Sequence, residues 1–157
     1  MVYVSLKETL EDIIRGETNF IANAANFSSV LYHGLSDLNW VGFYFLDGDD
    51  LILGPYQGKP ACIRIPVGKG VTGKSVKIMR VINVEDVHKF PGHIPCDPHS
   101  NSEIVIPIIY KNEIYGVLDI DSPLLNRFTG RDVDEIEDLL KLLIDNSDLT
   151  RLRKYYE

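Results

Sequence analysis

The spacing of apolar residues predicts two helices at the start of the chain. Leucines and isoleucines recur at helical intervals between Ser5, a suitable N-cap, and Gly16, a suitable stop. A second segment with the same periodicity ends at Gly34. The expected apolar stripes are Leu6, Leu10, Ile13 and Ile14 in the first helix, and Phe20, Ile21, Ala24, Phe27, Val30 and Leu31 in the second.

Shorter apolar runs separated by turn residues predict strands in the middle of the chain. The stretch NWVGFYFLDGDDLILGPY predicts a hairpin around an Asp-Gly turn, and SEIVIPIIYKNEIYGVLDIDS predicts another that turns at residues 111–113. Between them we expect a short strand in ACIRIP, a short helix from about Val71 to Lys77, and a strand in RVINVEDV.

A long amphipathic helix is predicted near the end of the chain. Thr129 and Asp132 have the spacing of a capping box. An apolar stripe follows them, made of Val133, Ile136, Leu139, Leu140, Leu143 and Ile144. This order of elements favours an α+β fold, with an antiparallel sheet and the terminal helices packed on one of its faces. We see no repeat or linker, so we expect one domain over residues 1–157.

Composition and charge narrow the classes of function. The 157 residues are 45% hydrophobic and carry a net charge of −7, which is typical of a globular protein and unfavourable for binding nucleic acid. We expect no signal peptide and no membrane span, because the N-terminus has no basic segment before an apolar one and no long apolar run occurs. The two cysteines then indicate a reducing, cytoplasmic location, where thiols are more often catalytic, metal-binding or inert than structural.

The loop DVHKFPGHIPCDPHSNSE concentrates reactive side chains in residues 86–103. Three interpretations compete: a metal site, a solvated loop with an inert cysteine, and a loop that carries a reactive thiol. The potential metal ligands are His88, His93, Cys96 and His99. We expect no metal, because no second compact pair of ligands accompanies them. Cys96 lies among prolines and few core-type residues, which favours a thiol near the surface.

A carboxylate pair is predicted at the end of the last strand. Asp119 and Asp121 lie two residues apart and therefore point to the same face, while Leu118 and Ile120 point towards the presumed core. Neighbouring carboxylates repel each other, which raises the pKa of at least one. Glu103, at the start of the facing strand, could join them. A hydrated strand end is the alternative.

Aromatic residues suggest the wall of a small pocket. By alternation, Trp40, Gly42 and Tyr44 share one strand face, although ordinary core packing would also explain them. The segment VGKGVTGKS formally matches a phosphate-binding loop, but the order of elements around it is not βαβ, so we do not assign one.

Together these motifs resemble the free methionine-(R)-sulfoxide reductases, a branch of the GAF-domain family. The resemblance runs from about Trp40 to Glu137 in unbroken order, and GHIPCDPHSNSEIV together with GVLDIDS is its most specific part. It implies a GAF-like fold with a central antiparallel sheet, and a homodimer. It also implies an enzyme without a cofactor that reduces free methionine sulfoxide, with thioredoxin as the usual reductant.

The resemblance also implies roles for individual residues. Cys96 matches the catalytic cysteine of the family and Cys62 its resolving cysteine. The pocket carboxylates match Glu103, Asp119 and Asp121, and the aromatic wall matches Trp40 and Tyr44. Many members carry a third cysteine where this chain has Thr72, so only Cys62 is left to resolve Cys96.

The mechanism expected from these roles begins with attack of the Cys96 thiolate on the sulfoxide sulfur, while a protonated carboxyl group donates to the oxygen. A sulfenic acid on Cys96 would then condense with Cys62 to a disulfide. We expect the acidic cluster to bind the substrate ammonium, backbone N–H groups before Cys96 to bind its carboxylate, and Trp40 to contact its S-methyl group. The alternative function is a GAF module that senses a small molecule without catalysis.

Overall fold

A six-stranded antiparallel sheet organises the computed structural model, which describes residues 1–156. The strands are β1 (Trp40–Asp47), β2 (Asp50–Gly58), β3 (Arg64–Pro66), β4 (Ile82–Val84), β5 (Ser102–Tyr110) and β6 (Glu113–Ser122), in the spatial order β3-β2-β1-β6-β5-β4. The helices are α1 (Val2–Ile14), α2 (Phe20–Gly34), α3 (Gly70–Ile78), α4 (Gly130–Asp145) and α5 (Leu149–Tyr156), and a 3₁₀ turn spans Val87–Lys89.

The two faces of the sheet bury different clusters. On one face, apolar residues of α1, α2, α4 and α5 pack against strand residues such as Val41, Phe43 and Phe45. On the other face, α3 contributes Val71 and Val76 to a smaller cluster that includes Trp40 and Tyr44. The α+β class and the packing of the terminal helices on one sheet face are thus confirmed. The alternation predicted for β1 is confirmed as well.

The start of α1 differs from the prediction. The helix begins at Val2, so Ser5 is not its N-cap, and Ile13 is 41% exposed. Tyr3 explains the difference, since it lies one turn before Leu6 and extends the buried stripe towards the N-terminus. Its hydroxyl also donates a hydrogen bond to Asp132 at 2.5 Å, which connects α1 to the start of α4.

The other predicted elements lie close to their expected positions. Helix α2 ends at Gly34, and α3 extends the predicted helix by one residue at each end. Lys111 and Asn112 both have positive φ, as a tight hairpin turn between β5 and β6 requires. The capping box of Thr129 and Asp132 is present. None of the helices in residues 1–156 has the length and apolar character that a membrane crossing needs.

The end of the chain, whose conformation the sequence left open, forms α5. Leu149 and Leu152 are buried against the helical core. The Arg153 guanidinium lies 4.3 Å from the centre of the Tyr115 ring and 3.2 Å from the Glu113 carboxylate, which fixes α5 to β6.

Candidate active site

Strand register brings the predicted carboxylates together at one end of the sheet. Asp121 of β6 lies between Trp40 of β1 and Glu103 of β5, and Asp119 pairs with Gly42 and Val105. These side chains share the sheet face opposite the helical core. A carboxylate oxygen from each of Glu103, Asp119 and Asp121 lies within 4.8 Å of the other two.

Burial gives these carboxyl groups unusual acidities. Glu103 and Asp119 are 5% and 6% exposed. Burial, together with the negative charge of Asp121, raises the pKa of Glu103 to about 8. Burial likewise raises the pKa of Asp119 and of Asp121 well above the usual range, and a neighbouring carboxylate adds to each shift. The cluster therefore retains protons at neutral pH and can donate them.

His93 contacts this cluster from the loop that carries Cys96. Its Nε2 lies 3.7 Å from Glu103 Oε2, which is close enough for an ion pair. Burial lowers the pKa of His93, however, and the pKa of Glu103 is raised, so both groups are neutral near pH 7. We therefore regard this contact as a polar contact between neutral groups.

An aromatic stack forms the adjoining wall. The Trp40 ring stacks on Tyr44 and Tyr56, with centroid distances of 5.9 and 5.2 Å. A Cβ atom at Gly42 would collide with Tyr56 and with the Trp40 ring, so the glycine makes room for this stack. Tyr56 was not predicted from the sequence, although it is the cross-strand partner of Gly42.

The two cysteines meet beside the carboxyl cluster, where Cys96 lines a common cavity with Glu103 and Asp119. Cys62 lies between β2 and β3, and Cys96 lies between the 3₁₀ turn and β5, yet a disulfide joins them with a Cα–Cα distance of 5.6 Å. Both residues are half-buried, so the bond is accessible from solvent. The Tyr44 hydroxyl donates a hydrogen bond to the Cys62 carbonyl at 2.8 Å. Burial and the nearby carboxylates raise the pKa of Tyr44, which keeps this hydroxyl a donor.

Polar contacts attach the segment of residues 90–101, which we call the Cys96 loop, to the sheet. The Asn39 side-chain amide donates to Asp97 at 3.0 Å and to Ser100 at 2.9 Å. The Asn39 backbone N–H donates to the Asp121 carbonyl at 3.0 Å. Asn39 therefore connects the Cys96 loop to β6. Sequence analysis did not identify it, because an asparagine before a strand carries no distinctive signal.

Polar contacts of His88, just before the Cys96 loop, and of His99, within it, stabilise the local conformation. His88 Nε2 lies 2.9 Å from the Asn101 side-chain oxygen, and the His99 backbone N–H donates to Asp97 at 2.9 Å. Partial burial tends to raise the pKa of Asp97, but the hydrogen bonds from His99 and Asn39 lower it overall. Within residues 1–156, the carboxylates Glu103, Asp119 and Asp121 form the only group of three or more potential metal ligands.

The first turn of α3 faces the cavity. Gly70, Val71 and Thr72 line it, and no side chain caps the start of this helix. Gly70 has a φ of +62°, and a Cβ atom there would lie 3.2 Å from Ile94 of the Cys96 loop. The preceding strand β3 is an antiparallel edge strand, which is not the setting of a phosphate-binding loop.

These elements enclose a cavity of about 40 Å³ beneath the Cys96 loop. Its lining residues come from β1, the loop before β3, β3 itself, α3, the Cys96 loop, β5 and β6. They are Trp40, Tyr44, Pro60, Ala61, Ile65, Gly70, Val71, Thr72, His93, Ile94, Cys96, Asp97, Ser100, Glu103, Asp119 and Asp121.

Comparison with known proteins identifies the family of this chain. The GAF domain model matches residues 9–143. The free methionine-R-sulfoxide reductase of Escherichia coli (strain K12) is 49% identical over 154 residues, which are 98% of this chain and 93% of that protein. The chain belongs to the GAF-domain free methionine-R-sulfoxide reductases.

Solved structures of free methionine-R-sulfoxide reductases agree with this assignment. The reduced form of fRMsr of Staphylococcus aureus is 46% identical and superposes with a TM-score of 0.89, covering 92% of this chain and 94% of that one. The enzyme from Neisseria meningitidis in complex with its substrate is 38% identical, with a TM-score of 0.88 and coverage of 92% and 87%. The predicted GAF fold is thereby confirmed.

Proposed function

We propose that this protein reduces free L-methionine-(R)-S-oxide to methionine, using Cys96 and Cys62. The observation that carries the proposal is the Cys62–Cys96 disulfide at the mouth of a cavity whose interior holds three buried carboxyl groups. A thiol pair supplies the two electrons, and the carboxyl groups supply a proton and a site for a cationic substrate group. A module that only senses a ligand needs no such thiol pair.

The acidic cluster binds the substrate ammonium in this proposal. Asp119 Oδ1 is buried and receives no hydrogen bond from the donors in residues 1–156. A buried oxygen without a donor is costly, and an ammonium group would satisfy it. Peptide-bound methionine sulfoxide lacks this ammonium group, which favours the free amino acid.

The substrate carboxylate binds the first turn of α3 rather than the loop before Cys96. In that loop, the His93 N–H already donates to Phe90 and the Cys96 N–H to Ile94, at 3.2 and 2.9 Å. The first N–H groups of a helix, by contrast, have no partner within the helix and favour anions. Gly70 to Thr72 place such groups at the cavity wall.

The aromatic wall orients the sulfur end of the substrate. Trp40 presents its ring beside Tyr44, and both residues line the cavity next to the carboxyl groups. We assign the S-methyl group to the Trp40 face, because an apolar methyl group gains from contact with an aromatic ring. The sulfoxide oxygen then points towards the carboxyl cluster.

Reduction begins when the Cys96 thiolate attacks the sulfoxide sulfur. Glu103 donates a proton to the oxygen, since a pKa of about 8 keeps it protonated at neutral pH but still acidic enough to react. The resulting O–H group then passes from the substrate sulfur to the Cys96 sulfur, which releases methionine and leaves Cys96 as a sulfenic acid without a further proton. Cys62 then attacks the Cys96 sulfur, which releases water and forms the disulfide.

An external dithiol returns the enzyme to its reduced form. We propose thioredoxin as this reductant and a reducing, cytoplasmic compartment as the location, because the cycle consumes two electrons from a thiol pool each turn. Thr72 lines the cavity at the position where the family resemblance implies a third cysteine, and the chain has only two cysteines, so this cycle depends on Cys62 alone.

We further propose a homodimer composed of two copies of one GAF domain that spans the chain. Exposed apolar residues on α1, among them Val2 and Val4 at 46% and 62% exposure, are available to such an interface. Light scattering coupled to size-exclusion chromatography tests this directly, and a monomeric mass at micromolar concentration would contradict it.

One assay tests the activity. NADPH consumption is followed with thioredoxin, thioredoxin reductase and each epimer of free methionine sulfoxide; we expect turnover of the R epimer alone. Cys96→Ser should abolish it, and Cys62→Ser should complete about one turnover per subunit before stalling. Retained turnover in Cys96→Ser, or binding of a small molecule without consumption of NADPH, would refute the proposal in favour of another nucleophile or a sensor.

A further inference from the structure

The chain segment that contains Cys62 carries a charge opposite to that of the whole protein. Residues 51–84 contain six of the 16 basic residues and none of the 23 acidic ones, although the chain has a net charge of −7. All six side chains are exposed, and of these six only Arg64 has an ion-pair partner within residues 1–156, Asp50 at 3.0 Å. We call this group the basic rim: Lys59, Arg64, Lys69, Lys74, Lys77 and Arg80.

Four members of the basic rim lie near Cys62 in sequence or on the helix that lines the cavity. Lys59 precedes Cys62 by three residues and Arg64 follows it by two. Lys69 lies at the start of α3, whose first turn lines the cavity. The Lys74 ammonium lies 5.4 Å from the centre of the Phe90 ring in the Cys96 loop. The positive charges therefore lie beside the accessible bond.

An exposed apolar side chain lies in the middle of this region. Ile63 directly follows Cys62 and is 74% exposed, while its carbonyl accepts a hydrogen bond from Leu53 at 2.9 Å. The backbone is thus attached to β2 and the side chain projects into solvent. Single exposed apolar residues are common on protein surfaces. This one is notable because it adjoins a disulfide that another protein must reach.

We propose that the basic rim and Ile63 form the docking surface for the reductant, a small dithiol protein with acidic residues around its reactive thiols. The inference rests on the proposed function, which requires such a reductant. Charge complementarity selects the partner, because a basic patch on an acidic protein attracts an acidic surface and accelerates its approach. Ile63 supplies the apolar contact next to the sulfur.

This geometry also specifies which sulfur is attacked. The Cys96 side of the bond adjoins Asp97, an acidic side chain held by Asn39, whereas Cys62 lies within the basic segment. A partner on the basic rim instead approaches Cys62. Its thiolate forms a bond to the Cys62 sulfur, the disulfide bond breaks, and Cys96 leaves as a thiolate. The partner's second thiol loses its proton, attacks the mixed disulfide and releases Cys62 as a thiol, so the partner becomes the oxidised disulfide.

A trapping experiment tests the point of attack. The oxidised protein is mixed with thioredoxin in which the second active-site cysteine is replaced by serine, so that the mixed disulfide accumulates. Mass spectrometry of the digested adduct should find thioredoxin on the Cys62 peptide. An adduct predominantly on the Cys96 peptide would overturn the inference.

Surface variants test the docking residues without any methionine sulfoxide. The release of free thiols from the oxidised protein is measured with either thioredoxin or dithiothreitol. Ile63→Ser should slow reduction by thioredoxin about tenfold, and Lys59→Glu about threefold with a weaker dependence on salt. Both should leave reduction by dithiothreitol unchanged. Equal rates for the variants and the wild type with thioredoxin would contradict the proposal.

Matched controls come from the opposite side of the molecule. Ile21→Ser removes an isoleucine that is 45% exposed on α2, and Lys7→Glu reverses an exposed charge on α1. Both should behave as the wild type with thioredoxin. This assay measures only reduction of the disulfide. Reduction of methionine sulfoxide is measured separately, as the methionine released in a single turnover by enzyme that was first reduced with dithiothreitol.

Discussion

At the scale of single residues, Glu103 combines the features of a proton donor. It is buried, its pKa is raised to about 8 by burial and by Asp121, and it lines the cavity next to Cys96. An ordinary glutamate is ionised at neutral pH and has no proton to give. Because its environment raises the pKa, the Glu103 side chain keeps a proton at neutral pH and is suitable for acid catalysis.

We expect Glu103→Gln to lower kcat about a hundredfold, because glutamine cannot transfer a proton. In the wild type, kcat/KM for reduction should fall above about pH 8, as Glu103 loses its proton. In the variant, the residual kcat/KM should not show this fall at alkaline pH. Glu8→Gln, on an exposed position of α1, is the control. If kcat/KM of Glu103→Gln fell at alkaline pH as it does in the wild type, the proton for the sulfoxide oxygen would come from another group.

Tyr44 positions Cys62, the proposed resolving cysteine, through its hydroxyl group. Replacing it by phenylalanine keeps the ring but removes the 2.8 Å hydrogen bond to the Cys62 carbonyl. A hydrogen bond of this kind contributes about 1 kcal/mol, so disulfide formation should slow about fivefold while methionine release is unaffected. Trapping of the Cys96 sulfenic acid with dimedone in single turnover measures the delay. Tyr56→Phe, which preserves stacking on Trp40, should show none.

Residue-level prediction from sequence succeeded where strand alternation determines the side-chain direction. The shared face of Asp119 and Asp121 and that of Trp40 and Tyr44 follow from a period of two. Tyr56 and Asn39 were missed for a physical reason. Their contribution depends on cross-strand register and on contacts with a distant loop, and neither leaves a local pattern.

At the scale of elements, the Cys96 loop depends on a few polar contacts for its position. Asn39 is the main connection, since its side-chain amide binds both Asp97 and Ser100. Phe90 and Ile94 pack against the smaller core cluster at the start of the loop, so the polar contacts matter most for residues 97–101. Local stability in such a segment is governed by these contacts.

We expect Asn39→Ala to loosen the Cys96 loop and lower kcat/KM about tenfold, because two buried polar groups lose their donor. Amide hydrogen exchange over residues 91–99 should become faster in the variant, while exchange in β1 and β6 stays slow. Asn146→Ala, which removes an exposed side-chain hydrogen bond to the Leu142 carbonyl, is the control. Identical exchange in the loop of Asn39→Ala and the wild type would show that other contacts hold it.

The elements themselves were largely predictable because their signals are local. Turn residues at 111–112 and the capping box at Thr129 mark boundaries by backbone chemistry alone. The start of α1 was placed too late, because Tyr3 is buried through a contact with α4 that is 129 residues away in sequence. The basic rim was not predicted from the sequence, since its charges are spaced along the chain and do not form a block.

At the scale of the whole molecule, the buried carboxyl groups couple the site to global stability. Their raised pKa values mean that the folded protein binds more protons than the unfolded chain between about pH 4.5 and pH 8. The unfolded state binds fewer protons in this range, so the free energy of unfolding falls as pH rises. The site is thus maintained at a cost in stability that grows towards alkaline pH.

We therefore expect Glu103→Gln to be more stable than the wild type at pH 8.5, while the two differ little at pH 5. The gain should be on the order of 1–3 kcal/mol, because glutamine has no charge to bury. Urea unfolding of the reduced proteins across this range measures it. The chain's net charge of −7 also destabilises the fold at high pH, but it does so equally in the exposed control Glu8→Gln. A wild-type stability that falls with pH as steeply as that of Glu103→Gln would mean that Glu103 is already ionised in the folded protein, and that the proton for the sulfoxide oxygen comes from Asp119 or Asp121.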